Sequence, residues 1–351
     1  MSSEKLTKQR RSARTLWKYV LIAIGFGLLL TLVSVRRDIL IETYEVLKDI
    51  NLRFVLLLPL LQLTSYMLVA GYYKEFFKAF KKQVRYWRML GMVMSLSFVD
   101  QVLPSGGLSG TTYLVYGLRS KLKIGTITLA HLGRYMISYV SYFFIMGAAL
   151  LFLLYGEGQV NESVYGYLVT LMSVAVAFGA FFLWSISEYD RVDKYLGALG
   201  RSIDYLSRKF RDGKEVFGEE LITKTAREFY NGFDLFRGDL RKLLGPISLM
   251  LLSSVANVLI VYFSFVAIGY DLNPGALIFS FAVANAAGIL SVVPGDFGVH
   301  EGTMVAMLTL TGSPVAAAIS ATLLYRIFVK FVFLPINFTL YSKLIASQTK
   351  Q

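Results

Sequence analysis

Uncharged apolar runs of about 18 residues or more, separated by short basic segments, constrain this 351-residue chain more than any other feature. In hydrocarbon every backbone N–H and C=O must find a partner inside the protein, so only helices or a closed barrel can span. The runs are continuous and show no period-two alternation with polar lumen positions, which excludes a barrel. The spans read as Tyr19–Val35, Phe54–Tyr73, Ile124–Tyr155, Val164–Trp184, Pro246–Ile268 and Val315–Leu340. The chain is therefore an all-α polytopic membrane protein of about six transmembrane helices.

The formal net charge is +13, and its cations sit in the short segments between runs, as on a cytoplasmic face. That placement speaks against nucleic acid and for anionic lipid headgroups beside the bilayer. Residues 1–18 form a basic cytoplasmic N-terminus with Lys5, Lys8, Arg10, Arg11, Arg14 and Lys18. The run that follows is long for a signal sequence and has no small-x-small cleavage pattern, so it reads as an uncleaved span. Arg36–Arg53 places Ile39, Thr43, Val46 and Ile50 on one face of a short amphipathic helix at the outer interface. Lys74 to Arg88 is cytoplasmic, Gly156–Ser163 and Gly269–Gly275 are external, and 342–351 is a cytoplasmic tail.

Two segments do not behave as spans. Met89–Leu103 is too short to cross comfortably and leads into Pro104-Ser105-Gly106-Gly107-Leu108-Ser109-Gly110, then a short run ending at Leu118 beside more cations. A hairpin over 89–118, entered from the cytoplasm and turning at the glycines, satisfies both basic ends. Ala276–Val293 leads into Pro294-Gly295-Asp296-Phe297-Gly298-Val299-His300-Glu301-Gly302, and the chain is uncharged again to Thr311. This second hairpin, 276–311, enters from outside. Membrane half one (19–184) and half two (246–341) thus form an inverted repeat whose two re-entrant hairpins meet near the midplane. Between them, 185–245 carries two helical stripes. One is Leu196, Leu199, Ile203, Leu206 and Phe210; the other is Phe229, Phe233, Phe236, Leu240 and Leu243. Together they predict a cytoplasmic amphipathic helical hairpin lying on the membrane domain, either a solvated linker or a surface for a protein partner.

Acids at membrane depth cost about 2.5–3.5 kcal/mol each on insertion scales if unpaired. Asp296 and Glu301 therefore call for cations, and Arg326 and Lys330, four apart on the last span, share a face. Arg134 and His131 stand in the same relation to Asp100. For Arg326, structural pairing and substrate contact are equal alternatives. Both glycine loops open onto helices, whose free N–H groups attract anions, so a phosphate headgroup is a fitting ligand. The first loop lacks the Gly-Lys-Ser/Thr ending of a nucleotide phosphate loop. With no cysteine, two histidines and no ligand spacing or nucleophile elbow, the sequence offers no catalytic residue, no metal site and no cofactor.

Val-Pro-Gly-Asp-Phe-Gly-Val-His-Glu-Gly, followed by Leu-Leu-Tyr-Arg-Ile-Phe-Val-Lys-Phe, resembles the lysylphosphatidylglycerol synthase transmembrane, or flippase-like, family. The matching positions are Pro294, Gly295, Gly298, Glu301, Tyr325 and Arg326, with a looser match at Leu-Pro-Ser-Gly-Gly-Leu-Ser-Gly. Thr111, Leu114, Gly133, Asp296 and His300 depart from the family pattern. The resemblance implies the membrane module without the soluble transferase domain, binding and translocating a phospholipid or polyprenyl-linked lipid with an anionic headgroup. A non-transporting scaffold for a lipid-modifying enzyme and a small-solute or ion transporter are the alternatives. The candidate binding set is Asp100, Ser105, Gly106, Gly107, Ser109, Gly110, Arg134, Gly295, Asp296, Gly298, His300, Glu301, Tyr325, Arg326 and Lys330. The expected location is the cell membrane, multi-pass, with both termini cytoplasmic, and the plan admits a homo-oligomer.

Overall fold

The computed structural model describes residues 37–102, 108–155, 219–290 and 293–349, with isolated positions between 166 and 197. The first span, the Gly156–Ser163 loop, the stripe from Leu196 to Phe210, and Ser105, Gly106 and Gly107 lie outside the described residues. Every regular element among the described residues is helical.

Helix α1 (Arg37–Lys48) is amphipathic and buries Thr43, whose carbonyl accepts from Ser320 Oγ at 3.4 Å. Asn51 then does two jobs. Its side chain accepts the Arg53 N–H at 3.1 Å, capping the short α2 (Leu52–Val55), and its own N–H donates to the Ala267 carbonyl at 2.7 Å. The chain continues into α3 (Leu57–Ala79), and Leu52–Ala79 is one of three described helices long and apolar enough to span. The others are α8 (Arg241–Ala267) and the segment Val315–Ala346. Helix α6 (Ile124–Tyr155) is 32 residues long, about 48 Å at 1.5 Å per residue.

Helices α3 and α8 make the broadest contact among the described residues. Gly71 lies against the Leu249 side chain, and the Ser65 and Ser253 hydroxyls meet at 3.0 Å. Lipid tails supply no hydrophobic drive between spans, so small residues that admit close packing set such interfaces. Leu251, Leu252, Val255 and Leu259 stay exposed on α8, as a lipid-facing surface requires. One core packs Tyr72, Tyr73 and Phe77 of α3 on Met89, Met92 and Leu96 of α4 (Tyr86–Val102). A second gathers Phe265, Phe281, Met304 and Leu308 from α8, α9 and α10.

Helix α4 has 17 residues and α5 (Leu108–Leu118) has 11. Helix α9 (Pro274–Leu290) has 17 and α10 (Val299–Leu310) has 12. Asn273 Oδ1 accepts the Gly275 N–H at 2.8 Å, so an Asn cap followed by Pro at the first helical position starts α9 two residues before the expected boundary.

Helix α7 (Glu219–Gly238) packs on the start of α6 and the end of α3. Phe229 and Phe236 are buried, with the Phe236 ring 4.9 Å from that of Phe76. Leu240, placed by periodicity on the same stripe, is 68% exposed, because the chain breaks at Asp239 and α8 starts at Arg241. Pro246 stands inside α8, which begins five residues earlier than the proline suggested.

The last apolar run is not one regular helix. Helix α11 (Val315–Arg326) passes into a π-helical turn, Ile327–Phe331, before α12 (Leu334–Thr349). Val332 N–H reaches back five residues to the Ile327 carbonyl at 3.0 Å. Pro335 explains the defect: it has no N–H to give the Phe331 carbonyl, and its ring crowds that carbonyl.

Candidate functional site

The end of α11 and the π-turn that follows place two cations against the loop that joins α9 to α10. Arg326, 3% exposed, donates from Nη2 to Asp296 Oδ1 at 2.8 Å and to the Gly295 carbonyl at 3.2 Å, and from Nε to Glu301 Oε1. Lys330 Nζ lies 3.2 Å from the same Asp296 oxygen. Glu301 Oε2 accepts the Gly298 N–H at 2.7 Å, satisfying a donor at the start of α10. The Phe297 ring covers the guanidinium at 5.5 Å. Two acids and two cations are thus neutralised where single charges would be costly.

The loop backbone is itself unusual. Gly295, Asp296 and Gly298 have φ of +64°, +58° and +81°. Aspartate tolerates the left-handed region better than most residues, and here its carboxylate is held by Arg326 and Lys330. Gly288 on α9 leaves room for that carboxylate, since a Cβ there would stand 2.8 Å from Asp296 Oδ2. A Cβ on Gly295 would meet Phe297 Cε2 at 2.6 Å and the Gln101 carbonyl at 3.3 Å. The turn of the second loop therefore abuts the end of α4. Gly295→Ala is expected to cost about 1–2 kcal/mol through its left-handed backbone. A melting temperature unchanged from wild type would show that the turn does not hold this conformation.

A cavity of about 240 Å³ opens beside this network, between α3, α4, α6, α8 and the π-turn. Its charged lining is Asp100, Arg134 and Lys330, and Ser65, Ser253, Ser254 and Asn257 supply neutral polar groups. Arg134 Nη2 is 3.7 Å from Asp100 Oδ2 and its guanidinium lies 4.7 Å from the Tyr135 ring. Lys330 belongs to both groups, facing the cavity while paired to Asp296. His131 is buried, with Nδ1 2.8 Å from the Tyr73 hydroxyl. A Cβ on Gly110 would stand 2.8 Å from His131 Nε2 and 2.9 Å from Asp100 Oδ1, so only glycine lets α5 close on both. Ser109 precedes it in the first turn of α5.

The structure thus brings Asp296, Glu301, Arg326 and Lys330 together, and Asp100, Arg134 and Lys330 together, with Lys330 the link. His300 and Tyr325 stand elsewhere. Their rings stack at 5.8 Å and both pack edge-on to Phe281, in the apolar contact between α9, α10 and α11, and neither lines the cavity. Neither ring nitrogen of His300 has a hydrogen-bond partner among the described residues. Among the described residues, no group of three or more His, Cys, Asp or Glu could hold a metal ion.

Sequence reasoning missed the neutral wall of the cavity. The available signal was Ser253 and Asn257, four apart on α8 and hence on one face. It missed Ser65 too, one of three consecutive hydroxyl residues, Thr64 to Tyr66, in a span.

A UPF0104 membrane protein of Pyrococcus horikoshii is 23% identical to this chain over 318 residues, covering 88% of this chain and 92% of that protein. The family described as lysylphosphatidylglycerol synthase TM region matches residues 20–336, which take in both glycine loops, the ion network and the cavity. This membrane protein belongs to the lysylphosphatidylglycerol synthase TM region family.

Proposed function

We propose that the protein binds the anionic headgroup of a phospholipid or polyprenyl-linked lipid in the polar cavity and carries it between leaflets. One observation supports this above the rest: a cavity of about 240 Å³ lined by Arg134, Lys330 and Asp100 lies among apolar spans, where charge is retained for a pathway or a ligand. On this reading α4–α5 and α9–α10 are re-entrant hairpins of an inverted repeat, entered from opposite sides. Their arms are 17 and 11, and 17 and 12 residues long, against roughly 20 needed to span. Irregular backbone such as the 294–298 turn is tolerated at depth because protein surrounds it. Rocking of one half against the other then alternates the access of the cavity. Both termini and α7 lie on the cytoplasmic side, where the cations of the connecting segments concentrate.

The test is transfer of a fluorescently labelled phosphatidylglycerol across reconstituted vesicles, read by quenching the outer leaflet. Arg134→Gln and Lys330→Gln each remove a charge-assisted hydrogen bond to phosphate, worth about 1.5–3 kcal/mol, so transfer should slow by about tenfold or more. Transfer at the wild-type rate in both variants would sink the reading. Transport of a water-soluble anion but not of the lipid would favour a small-solute transporter instead.

A further inference from the structure

We infer that an anion entering this cavity binds together with a proton, and that Asp100 takes the proton. The inference rests on reading the cavity as an anion site. It begins from an inequality between two charge groups. Around the second loop, two acids face two cations at close range, with Arg326 Nη2 2.8 Å and Lys330 Nζ 3.2 Å from Asp296. Around the first hairpin, Asp100 faces Arg134 across a looser 3.7 Å. Asp100 Oδ1 is sealed from solvent and has no hydrogen-bond partner among the described residues.

The groups that face Asp100 come from several elements. Helix α6 contributes His131, Arg134 and Tyr135, helix α3 contributes Tyr73, and the π-turn contributes Lys330. Helix α5 presents Gly110 and helix α8 only the neutral Ser253, Ser254 and Asn257 across the cavity. Lys330 is already held by Asp296, and Arg326 by Asp296 and Glu301. The cation a ligand can recruit at least cost is therefore Arg134.

When a phosphodiester takes the Arg134 guanidinium and a hydrogen bond from Lys330, whose charge Asp296 already balances, the phosphate and Asp100 are two anions with one uncompensated cation between them in a low-dielectric cavity. Like charges so placed are relieved when one is neutralised. A phosphodiester does not accept a proton near neutral pH, so the carboxylate does. One proton from bulk water forms one O–H bond on Asp100, and no other bond changes. His131 lies beside this carboxylate and is the other group that could take the proton. Its Nδ1 meets the Tyr73 hydroxyl at 2.8 Å, and its Nε2 and Asp100 Oδ1 flank the same point above Gly110 at 2.8 and 2.9 Å.

The linkage has a definite sign. If binding takes up a proton, affinity falls as pH rises, by up to tenfold per unit over the range in which Asp100 ionises. The experiment is calorimetric titration of the full chain in detergent with dioctanoyl phosphatidylglycerol, in two buffers of different ionisation heat. Wild type should take up close to one proton per probe bound. Asp100→Asn, an isosteric mimic of the neutral acid, should bind with no uptake and no pH dependence, and His131→Gln should keep the equilibrium uptake. Binding by wild type without proton uptake overturns the inference, as does uptake that survives Asp100→Asn but vanishes in His131→Gln. Should Asp100→Asn fail to fold, the wild-type buffer pair still decides. No binding by wild type, or binding indifferent to Arg134→Gln, defeats the anion-site reading itself and is told apart by that result.

Discussion

Arg326→Gln should be the most damaging single substitution in the membrane domain, lowering stability by about 3–5 kcal/mol, because it leaves the partly buried Glu301 uncompensated and Asp296 with Lys330 alone. The side chain is 3% exposed and bridges Asp296, Glu301 and the Gly295 carbonyl. Its loss leaves Lys330 as the only cation within ion-pair range of these two acids among the described residues. Arg326→Lys should recover little, since one ammonium cannot reproduce a fork that engages two carboxylates from two different nitrogens. Glu301→Gln alone should cost less, because Arg326 keeps Asp296. The double variant Glu301→Gln with Arg326→Gln should be more stable than the sum of the single losses implies, yet short of wild type, because Asp296 still needs Lys330. Melting temperatures of wild type, Glu301→Gln, Arg326→Gln and the double variant measure this cycle. Strict additivity would mean that the residues are not coupled.

The ion network was legible because its members are rare residues in rare places. Asp296, Glu301, Arg326 and Lys330 interrupt apolar runs, and the four-residue spacing of the cations puts them on one face before any fold is known. The stripe Phe229, Phe233 and Phe236 announced a packed face for the same reason of period. The cavity was not legible, because Ser65, Ser253 and Ser254 look no different from serines that satisfy themselves within a helix. Ser254 does bond back to the Met250 carbonyl at 3.1 Å, and Ser264, buried elsewhere on α8, bonds likewise to Ile260 at 2.8 Å. Which serines converge depends on the rotation of α3 against α8, which hydropathy does not encode. The π-turn was hidden too. A proline in a membrane span is common enough that Pro335 alone does not reveal the five-residue turn just upstream that carries Lys330. His300 misled by type: histidine in a glycine-rich loop suggests a ligand, but its position in the first turn of α10 points the ring at Tyr325 and Phe281.

Gly125→Ala should unseat α7 from the membrane domain at a cost of about 1–3 kcal/mol from overpacking. A Cβ on Gly125 would stand 2.3 Å from Glu228 Cβ and 2.7 Å from the Phe229 nitrogen. These are atoms fixed to the backbone of α7, so no rotamer change relieves the clash and the helix must lift. Lifting it weakens the Gly125 N–H to Glu228 Oε2 bond, 3.0 Å in the native packing, and loosens Phe229 and Phe236 from the core formed with Phe76. Two controls separate these contributions. Glu228→Ala removes only the cap, worth about 0.5–2 kcal/mol. In Gly232→Ala the new methyl meets the end of the Leu129 side chain at 2.7 Å, which can swing aside, so the cost should be smaller than at Gly125. Proteolysis within 219–238 and the melting temperature report the outcome directly. Lipid transfer should also slow in Gly125→Ala, since α6, which carries Arg134 into the cavity, loses the support of α7 at its start. A Gly125→Ala protein that melts like wild type and is cut no faster in α7 would mean that α7 does not rest on α6. Helix α7 would then be free of the other helices, which would favour the scaffold role over a part in translocation.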